Sequence, residues 1–546
     1  MKYRIYALLF IFSASSLVVS GTELFAKTIS ADSILVAQSS SSKRRRAKTS
    51  TRSKSRSRKS RRSNSPLIKA LRLAKAKNYT EASKLLFRLS HNKRYRRQRM
   101  QIKYILGLML YEMNLNQVSA FQFVSVVKQG KNKYLRQALE KMSLAADSLG
   151  DDTLLNYALS KVKVNEFPKV HRDMLYFRIG EFQLTNQQYS NAIASLNKVN
   201  VASSYYPQAK YLQGLAYAEQ GQNARAIRRF EQLANVRADR GITDPSRVAA
   251  LIGKARVLYQ DKKWQKAIDA YREIPRDTEF WHDSIFEMSW AMLRTGRFRS
   301  ALSNFHSLHS AYYEHTFQPE SLLLRSIIYL YICKYDEMEK VLQLFSEIYA
   351  PVLRDIKSVQ AANVSSEALF EQVNVVGEFV EGEVEIDQWK NDVPFIISKR
   401  IYYEGDFQRM RNYIGKLHRE MKKLDSMPAS WKSSSIGKYS ERVLQTRLRK
   451  AKNKAGRLAK AHINDIRAEL FDLFEQKDFI RFEMLKGKKD SLQKDLAGKD
   501  LSDVQIDEQN KRDFYIQNGY QYWPFRGEYW LDELGNYHYL GVQSCE

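Results

Sequence analysis

An alanine followed four residues later by a bulky apolar side chain recurs along the middle of this chain. The copies are Ala192…Leu196, Ala226…Phe230, Ala267…Tyr271 and Ala301…Phe305, at intervals of 34, 41 and 34 residues. The longer interval is one repeat plus a loop. Twelve positions before each alanine stands a small residue: Gly180, Gly214, Ala255 or Ser289. Small side chains at both places let two helix axes approach closely, so each copy reads as a pair of helices in contact. Three positions before each alanine sit Tyr189, Trp264 and Phe298, with Asn223 as the exception. A unit of this size cannot bury its own apolar face, so neighbouring copies must stack into a superhelix with an extended groove.

The layout resembles the tetratricopeptide repeat (TPR), whose pattern is W-x-x-L-G-x-x-Y followed by A-x-x-x-F. Tyr176-x-x-Ile179-Gly180-x-x-Gln183 and Gly214-x-x-Tyr217 match the first half loosely, and the second half matches better. Weaker copies flank the four: Tyr79-x-x-Ala82-x-x-x-Leu86 and Leu106-Gly107-x-x-Leu110 with Phe123 before them, Tyr335, Met338 and Leu342 after. The resemblance covers residues 66–352, most strongly 174–310. It implies an all-α fold, a TPR-like helical-repeat superhelix that holds another protein chain. By the repeat register, the concave side carries Phe177, Glu181, Tyr211, Arg256, Tyr259, Phe286 and Trp290. That mixture suits an amphipathic helix or an extended segment with aromatic anchors, although part of the aromatic lining belongs to interior packing. It departs from the Lys/Asn set by which some repeats of this type clasp a terminal carboxylate, so that activity is not carried over.

Residues 1–26 have the layout of a secretory signal peptide: Lys2 and Arg4, then apolar runs from Ile5 to Phe12 and Leu17 to Val19, then small residues. An uncleaved anchor is the alternative, because an apolar stretch of roughly 16 residues approaches the lower limit for a span. A cleaved leader places the mature chain outside the cytoplasm, in the periplasm of a Gram-negative-type cell. Residues 27–65 read as a linker. Within it, Lys43 to Arg62 holds twelve basic residues and no acid, in a chain of net charge +31. Such a stretch has almost nothing apolar to bury against its ordering entropy. Lys43, Arg44, Arg45, Arg46, Arg61 and Arg62 are candidates for contact with an anionic envelope surface or peptidoglycan; the bland alternative is a spacer. An Arg/Ser tract also suits nucleic acid, and the leader argues against that partner. A second basic cluster, Lys93 to Lys103, enters a repeat helix.

Residues 353–400 read as a connector in which Gly377, Gly382 and the acids from Glu378 to Glu385 interrupt helical spacing. Residues 401–500 read as a long antiparallel helical hairpin or coiled coil turning at Met427-Pro428-Ala429-Ser430. Ala459, Ile463, Ile466, Leu470 and Leu473 step by 4, 3, 4 and 3, the step of a coiled-coil seam. Gly456 and Gly487 are places for that arm to bend. The rod either folds back on the repeats or projects. Residues 501–546 read as an aromatic cap docking on the helical body, with a stacking platform for a sugar or an extended peptide as the alternative; ten aromatics lie between Phe514 and Tyr539. Glu528-Tyr529-Trp530-Leu531 and Tyr537-His538-Tyr539-Leu540 flank Asp532-Glu533-Leu534-Gly535-Asn536, which predicts a small β-hairpin covered by Trp523-Pro524-Phe525. The run from Trp523 to Tyr537, with Tyr529 and Trp530 at its centre, is similar to the terminus of secreted TPR proteins of the adventurous gliding motility machinery of myxobacteria and their relatives. That likeness implies a periplasmic component of an envelope-associated complex, and it accounts for nothing in residues 43–62.

No P-loop, dinucleotide fingerprint, H-E-x-x-H or G-x-S-x-G motif occurs. His306 and His309, with Glu314 and His315 nearby, lack the matched ligand pair a metal site needs. The sequence therefore points to no catalytic residues, no metal, no cofactor and no small-molecule substrate. Cys333 and Cys545 allow one disulfide and exclude a disulfide framework. Cys333 reads as a core residue of the apolar run Ile327–Tyr335, and Cys545 as the one to test for a bridge. The leading function is a secreted scaffold for protein–protein interaction, the alternative a cell-wall binding or processing accessory.

Overall fold

Seven times along the chain a residue with positive φ closes one helix two positions before the next begins. These residues are Lys77, Asn114, Gln187, Gly221, Lys262, Gly296 and Cys333. After each, a backbone N–H reaches back five residues, as in Gln188 to Gln183, Gln222 to Tyr217, Lys263 to Leu258 and Arg297 to Met292, all at 2.8–2.9 Å. This is the Schellman closure, which satisfies the last carbonyls of a helix and turns the chain sharply. The computed structural model describes residues 65–129, 132–150, 153–154, 157, 169–236, 241, 243–278, 280–380, 385–496, 534–537 and 539.

In chain order the helices are α1 Pro66–Lys75, α2 Tyr79–His91, α3 Arg99–Glu112, α4 Asn116–Val127, α5 Leu135–Leu149, α6 Lys169–Thr185 and α7 Tyr189–Leu196. There follow α8 Tyr206–Glu219, α9 Asn223–Val236, α10 Pro245–Gln260, α11 Trp264–Arg272, α12 Trp281–Arg294, α13 Phe298–Leu308, α14 Pro319–Tyr331 and α15 Tyr335–Ala361. The last are α16 Ser366–Asn374, α17 Val376–Val380, α18 Phe395–Tyr403, α19 Gly405–Asp425, α20 Ala429–Lys432 and α21 Ser435–Leu496. No strand occurs among the described residues.

Two units form. The first gathers the described residues of Met1–His171, Val364–Val384 and Ile401–Ala461; the second those of Arg172–Asn363, Glu385–Arg400 and His462–Glu546. In the second unit Ala192, Ala226, Ala267 and Ala301 are all fully buried. In the two glycine copies the small residue of the first helix faces the bulky residue sixteen positions on. A Cβ on Gly180 would lie 2.5 Å from Leu196, and one on Gly214 would lie 2.5 Å from Phe230. Gly253, from the following hairpin, also approaches the Phe230 ring closely, so that a Cβ there would lie 2.7 Å from it. Where the small residue is Ser289, its hydroxyl bonds Ile285 O at 2.7 Å and accepts from the buried Asn304 amide at 3.0 Å. The four alanines thus occupy equivalent environments. The first unit holds the same device once more, with Gly107 2.6 Å from Phe123. Each fully buried Phe contributes roughly 2–3 kcal/mol of hydrophobic stabilisation.

The first unit is completed by helices from the carboxyl-terminal third. Trp431 of α20 is fully buried and donates its indole N–H to Ser83 Oγ of α2 at 2.9 Å. α19 packs on α4 and α5. Its Glu420 carboxylate accepts the Gln117 N–H at 2.9 and 3.1 Å and the Val118 N–H at 3.3 Å, so a distant acid caps the start of α4. α16 crosses α21 at Gly456, where a Cβ would lie 1.6 Å from Ser366 O, and Lys452 pairs with Glu371 at 2.6 Å.

Several expectations need correction. The expected hairpin does not close on itself: the carboxyl-terminal seam is buried, but its partner is α15. Within the second unit Asp336 meets Lys488, Glu339 meets Arg481, Ser346 meets Lys477 and Gln360 meets both Asn464 and Arg467, so the two helices run antiparallel. The reason is a second heptad stripe, Met338, Leu342, Phe345, Tyr349, Val352, Ile356 and Val359, all buried. It matches Ile463, Ile466, Leu470, Leu473, Ile480 and Met484 of α21, and the Phe345 and Phe474 rings meet at 5.0 Å. α15 therefore runs through the expected boundary at 352, carrying Pro351 inside it, and the connector holds α16 and α17. α21 is continuous across Gly456 and Gly487, and at Gly487 a Cβ would lie 2.7 Å from the Tyr335 hydroxyl. Cys333 is no core residue. It is the positive-φ turn between α14 and α15, and it is disulfide-bonded. The expected C-terminal β-hairpin lies mostly outside the described residues; those that are described, 534–537 and 539, form no strand and lie against α13.

Candidate functional site

The first helices of the hairpins in the second unit, α6, α8, α10, α12 and α14, carry every groove residue singled out from sequence. α8 packs on α10 and α12 on α14, and the Arg256–Glu287 pair links α10 to α12. Phe177 and Tyr211 are buried, Phe177 beside the Tyr205 ring at 5.3 Å and Tyr211 beside Phe230 at 5.7 Å. Both are interior packing. Glu181 pairs with Arg178 of its own helix at 3.0 Å, with both side chains mostly covered. Tyr259 is half-buried and stands edge-on to Trp264 at 4.8 Å. Phe286 and Trp290, one turn apart on α12, are half-buried.

Arg256 is the electrostatic centre of this face. Its Nε lies 2.9 and 3.0 Å from the two Glu287 carboxylate oxygens and its Nη2 lies 2.6 Å from Oε1, a two-pronged clamp between α10 and α12. Tyr271 of α11 donates its hydroxyl to Glu287 Oε2 at 2.8 Å. Burial works against the Arg256 charge, but the Glu287 charge and hydrogen bonds outweigh it and hold the guanidinium pKa above its ordinary value. Burial, then the Glu287 charge, pushes the Tyr271 phenol well above its ordinary range. The Arg256 guanidinium is therefore held in its charged form, with Glu287 and Tyr271 tying α10, α11 and α12 together. Glu287 and Tyr271 were missed as site residues. Glu287 stands one turn before Trp290, the register equivalent of Arg256 in the next repeat, and an opposite charge at that offset is the signal.

His306 and His309 do not converge on a ligand. His309 bonds Ser321 Oγ through Nε2 at 2.9 Å and lies 3.2 Å from Arg325 through Nδ1, while His306 packs edge-on to Tyr537. Among the described residues no group of three metal-ligating side chains occurs, and no helix is long and apolar enough to cross a membrane. Lys43, Arg44, Arg45, Arg46, Arg61, Arg62, Trp523, Tyr529 and Trp530 lie outside the described residues. Of the C-terminal motif, Tyr537 is described.

These hairpins define a helical-repeat protein. Residues 211–280 match the tetratricopeptide repeat family model, which spans α8 to α11 and the turn before α12. A crystal structure described as Podosopora anserina putative kinesin light chain nearly identical TPR-like repeats shares 18% identity over 34% of this chain and 98% of its own, at a TM-score of 0.30. A Rap protein complexed with competence and sporulation factor shares 12% identity over 66% of this chain and 99% of its own, at 0.28. Both scores are low, and neither structure bears on the partner of this chain. No curated protein matches it.

Proposed function

We propose that this protein is a secreted, non-enzymatic scaffold that holds a protein partner on the first-helix face of its second unit, within an envelope-associated complex of the gliding-motility kind. The observation that carries the reading is that face itself. Its polar centre is a locked Arg256–Glu287–Tyr271 clamp, which offers no free acid or base, and beside it stand the half-buried aromatics Phe286, Trp290 and Tyr259. Partly exposed aromatics around a rigid charged hub anchor a helix or strand from another chain better than they turn over a metabolite. The leader-like residues 1–26 support export, as does a disulfide at Cys333, since such bonds persist in oxidising compartments. The basic stretch 43–62 is proposed to steer the scaffold toward an anionic envelope surface.

Two experiments test this. Pull-down from crosslinked envelopes should recover membrane or motor proteins and lose them when Phe286 and Trp290 are replaced by alanine. Retention on purified cell-wall sacculi, unaffected by those changes, would favour the wall accessory instead. Fusing residues 1–40 to a reporter that matures only after export should give signal; an intact chain found in the cytosol would sink the secreted reading.

A further inference from the structure

The C-terminal residues 534–537 and 539 lie on α13 in a manner that reads as ligand binding. Gly535 donates its backbone N–H to Ser307 Oγ at 2.7 Å, and Tyr539 donates its own to Ser303 Oγ at 2.9 Å. Hydroxyls four residues apart on the helix thus read main-chain donors four residues apart on the segment, in reverse order. Leu534 is buried to 3% exposure. Gly535 has φ +80°, and a Cβ there would lie 2.7 Å from Trp281 Cζ2, so its position admits glycine alone. The Tyr537 ring stands edge-on to His306 at 4.3 Å. A buried leucine, a glycine-only step, a tyrosine seat and two serines reading the main chain are the parts of a sequence-selective peptide site.

We propose that this surface, formed by α13 and the first turn of α12, is a second peptide-docking site specific for a Leu-Gly-x-Tyr segment, which the chain fills in cis with its own residues 534–539 and which a partner bearing that motif must displace. The site shares only the first turn of α12 with the first-helix face and does not depend on the function proposed for that face. Main-chain recognition through Ser303 and Ser307 sets the path of the ligand, while Trp281 and His306 select glycine and an aromatic ring. Tethering supplies the cis segment at an effective concentration on the order of millimolar, so a free peptide competes poorly until the segment is loosened. Cys333 is disulfide-bonded, a covalent hold that also has to be removed.

The test uses the full chain and a fluorescent synthetic peptide of residues 532–540. Gly535→Val with Cys333→Ser loosens the cis segment through Trp281 and removes the covalent hold; Tyr537→Ala with Cys333→Ser does so without adding bulk. Both should bind the peptide saturably, about tenfold or more tighter than the wild-type chain does. Adding Ser303→Ala and Ser307→Ala should weaken that binding by about tenfold, the loss expected for two hydrogen bonds. Far-UV circular dichroism identifies a variant that has kept its helices. The proposal is overturned if both loosened chains keep their helices yet fail to bind at millimolar peptide, if wild type binds as tightly as they do, or if the serine changes leave binding unaltered.

Discussion

Replacing Gly214 with alanine should destabilise the second unit in the native background and stabilise it once Phe230 is gone. In a helix interior alanine is favoured over glycine by about 1 kcal/mol. Against that gain stands geometry: the new Cβ would lie 2.5 Å from Phe230 Cε1, and Gly253 of the next hairpin approaches the same ring edge so closely that a Cβ there would lie 2.7 Å from it, which leaves the ring little room to retreat. Overpacking of this kind costs about 1–3 kcal/mol, so the net effect of Gly214→Ala is a loss of roughly 1 kcal/mol. Phe230→Ala alone costs about 3–5 kcal/mol, since the ring is fully buried. In that background the clash is absent and the added methyl gains helix propensity and fills part of the void. The pair should therefore show coupling with a change of sign. Urea titrations followed by circular dichroism check it. A chain of stacked repeats need not unfold in two states, so the readout is the direction of the midpoint shift. A shift in the same direction in both backgrounds would refute the stacked glycine–phenylalanine–glycine contact.

Other consequences follow from the first unit. Burial lifts the Glu420 carboxyl to about 7 from an ordinary 4.5, against the pull of its bonds from Gln117 and Val118. Between those values the folded state keeps a proton that the unfolded state has lost, so stability should fall as pH rises through that window and level off above it. The difference is on the order of 3 kcal/mol, read as the gap between urea midpoints at pH 5 and 8, and Glu420→Gln should flatten it. Trp431→Ala should cost about 3–5 kcal/mol and Trp431→Phe less, because the second removes mainly the Ser83 hydrogen bond. Gly456→Ala should release α16 from α21, seen as faster amide exchange across 366–374, since the new Cβ has only backbone to meet.

The pitch of the repeats was legible because it is written in sterics: a glycine or alanine under a bulky partner tolerates few substitutes, and the offset repeats. The carboxyl-terminal seam was legible for the same reason, but its partner was not. Periodicity says that a stripe is buried and leaves open against what, and the matching stripe of α15 was hidden because only Tyr335, Met338 and Leu342 were read, as a weak repeat ending before the connector at 353. Gly456 and Gly487 read only as places to bend because propensity is local, whereas the structure adds a close approach at each, from α16 and from Tyr335. Cys333 was misread because an apolar run does not reveal where its helix stops; its place in the turn series, 37 residues after Gly296, was the available signal. Among the groove residues, sequence placed all seven on first helices but did not separate the packing pair Phe177 and Tyr211 from the half-exposed Phe286 and Trp290. The Arg256 clamp needed the neighbouring helix to show its partner.

The most direct test of the scaffold reading places a photo-activatable amino acid in vivo at Phe286 or Trp290, and at Gln265 or Lys266 on the exposed side of α11 as controls. Irradiation should give a discrete crosslink to another protein from the two α12 positions and none from α11. Equal labelling from both helices, or none from either, would contradict a partner seated on the first-helix face.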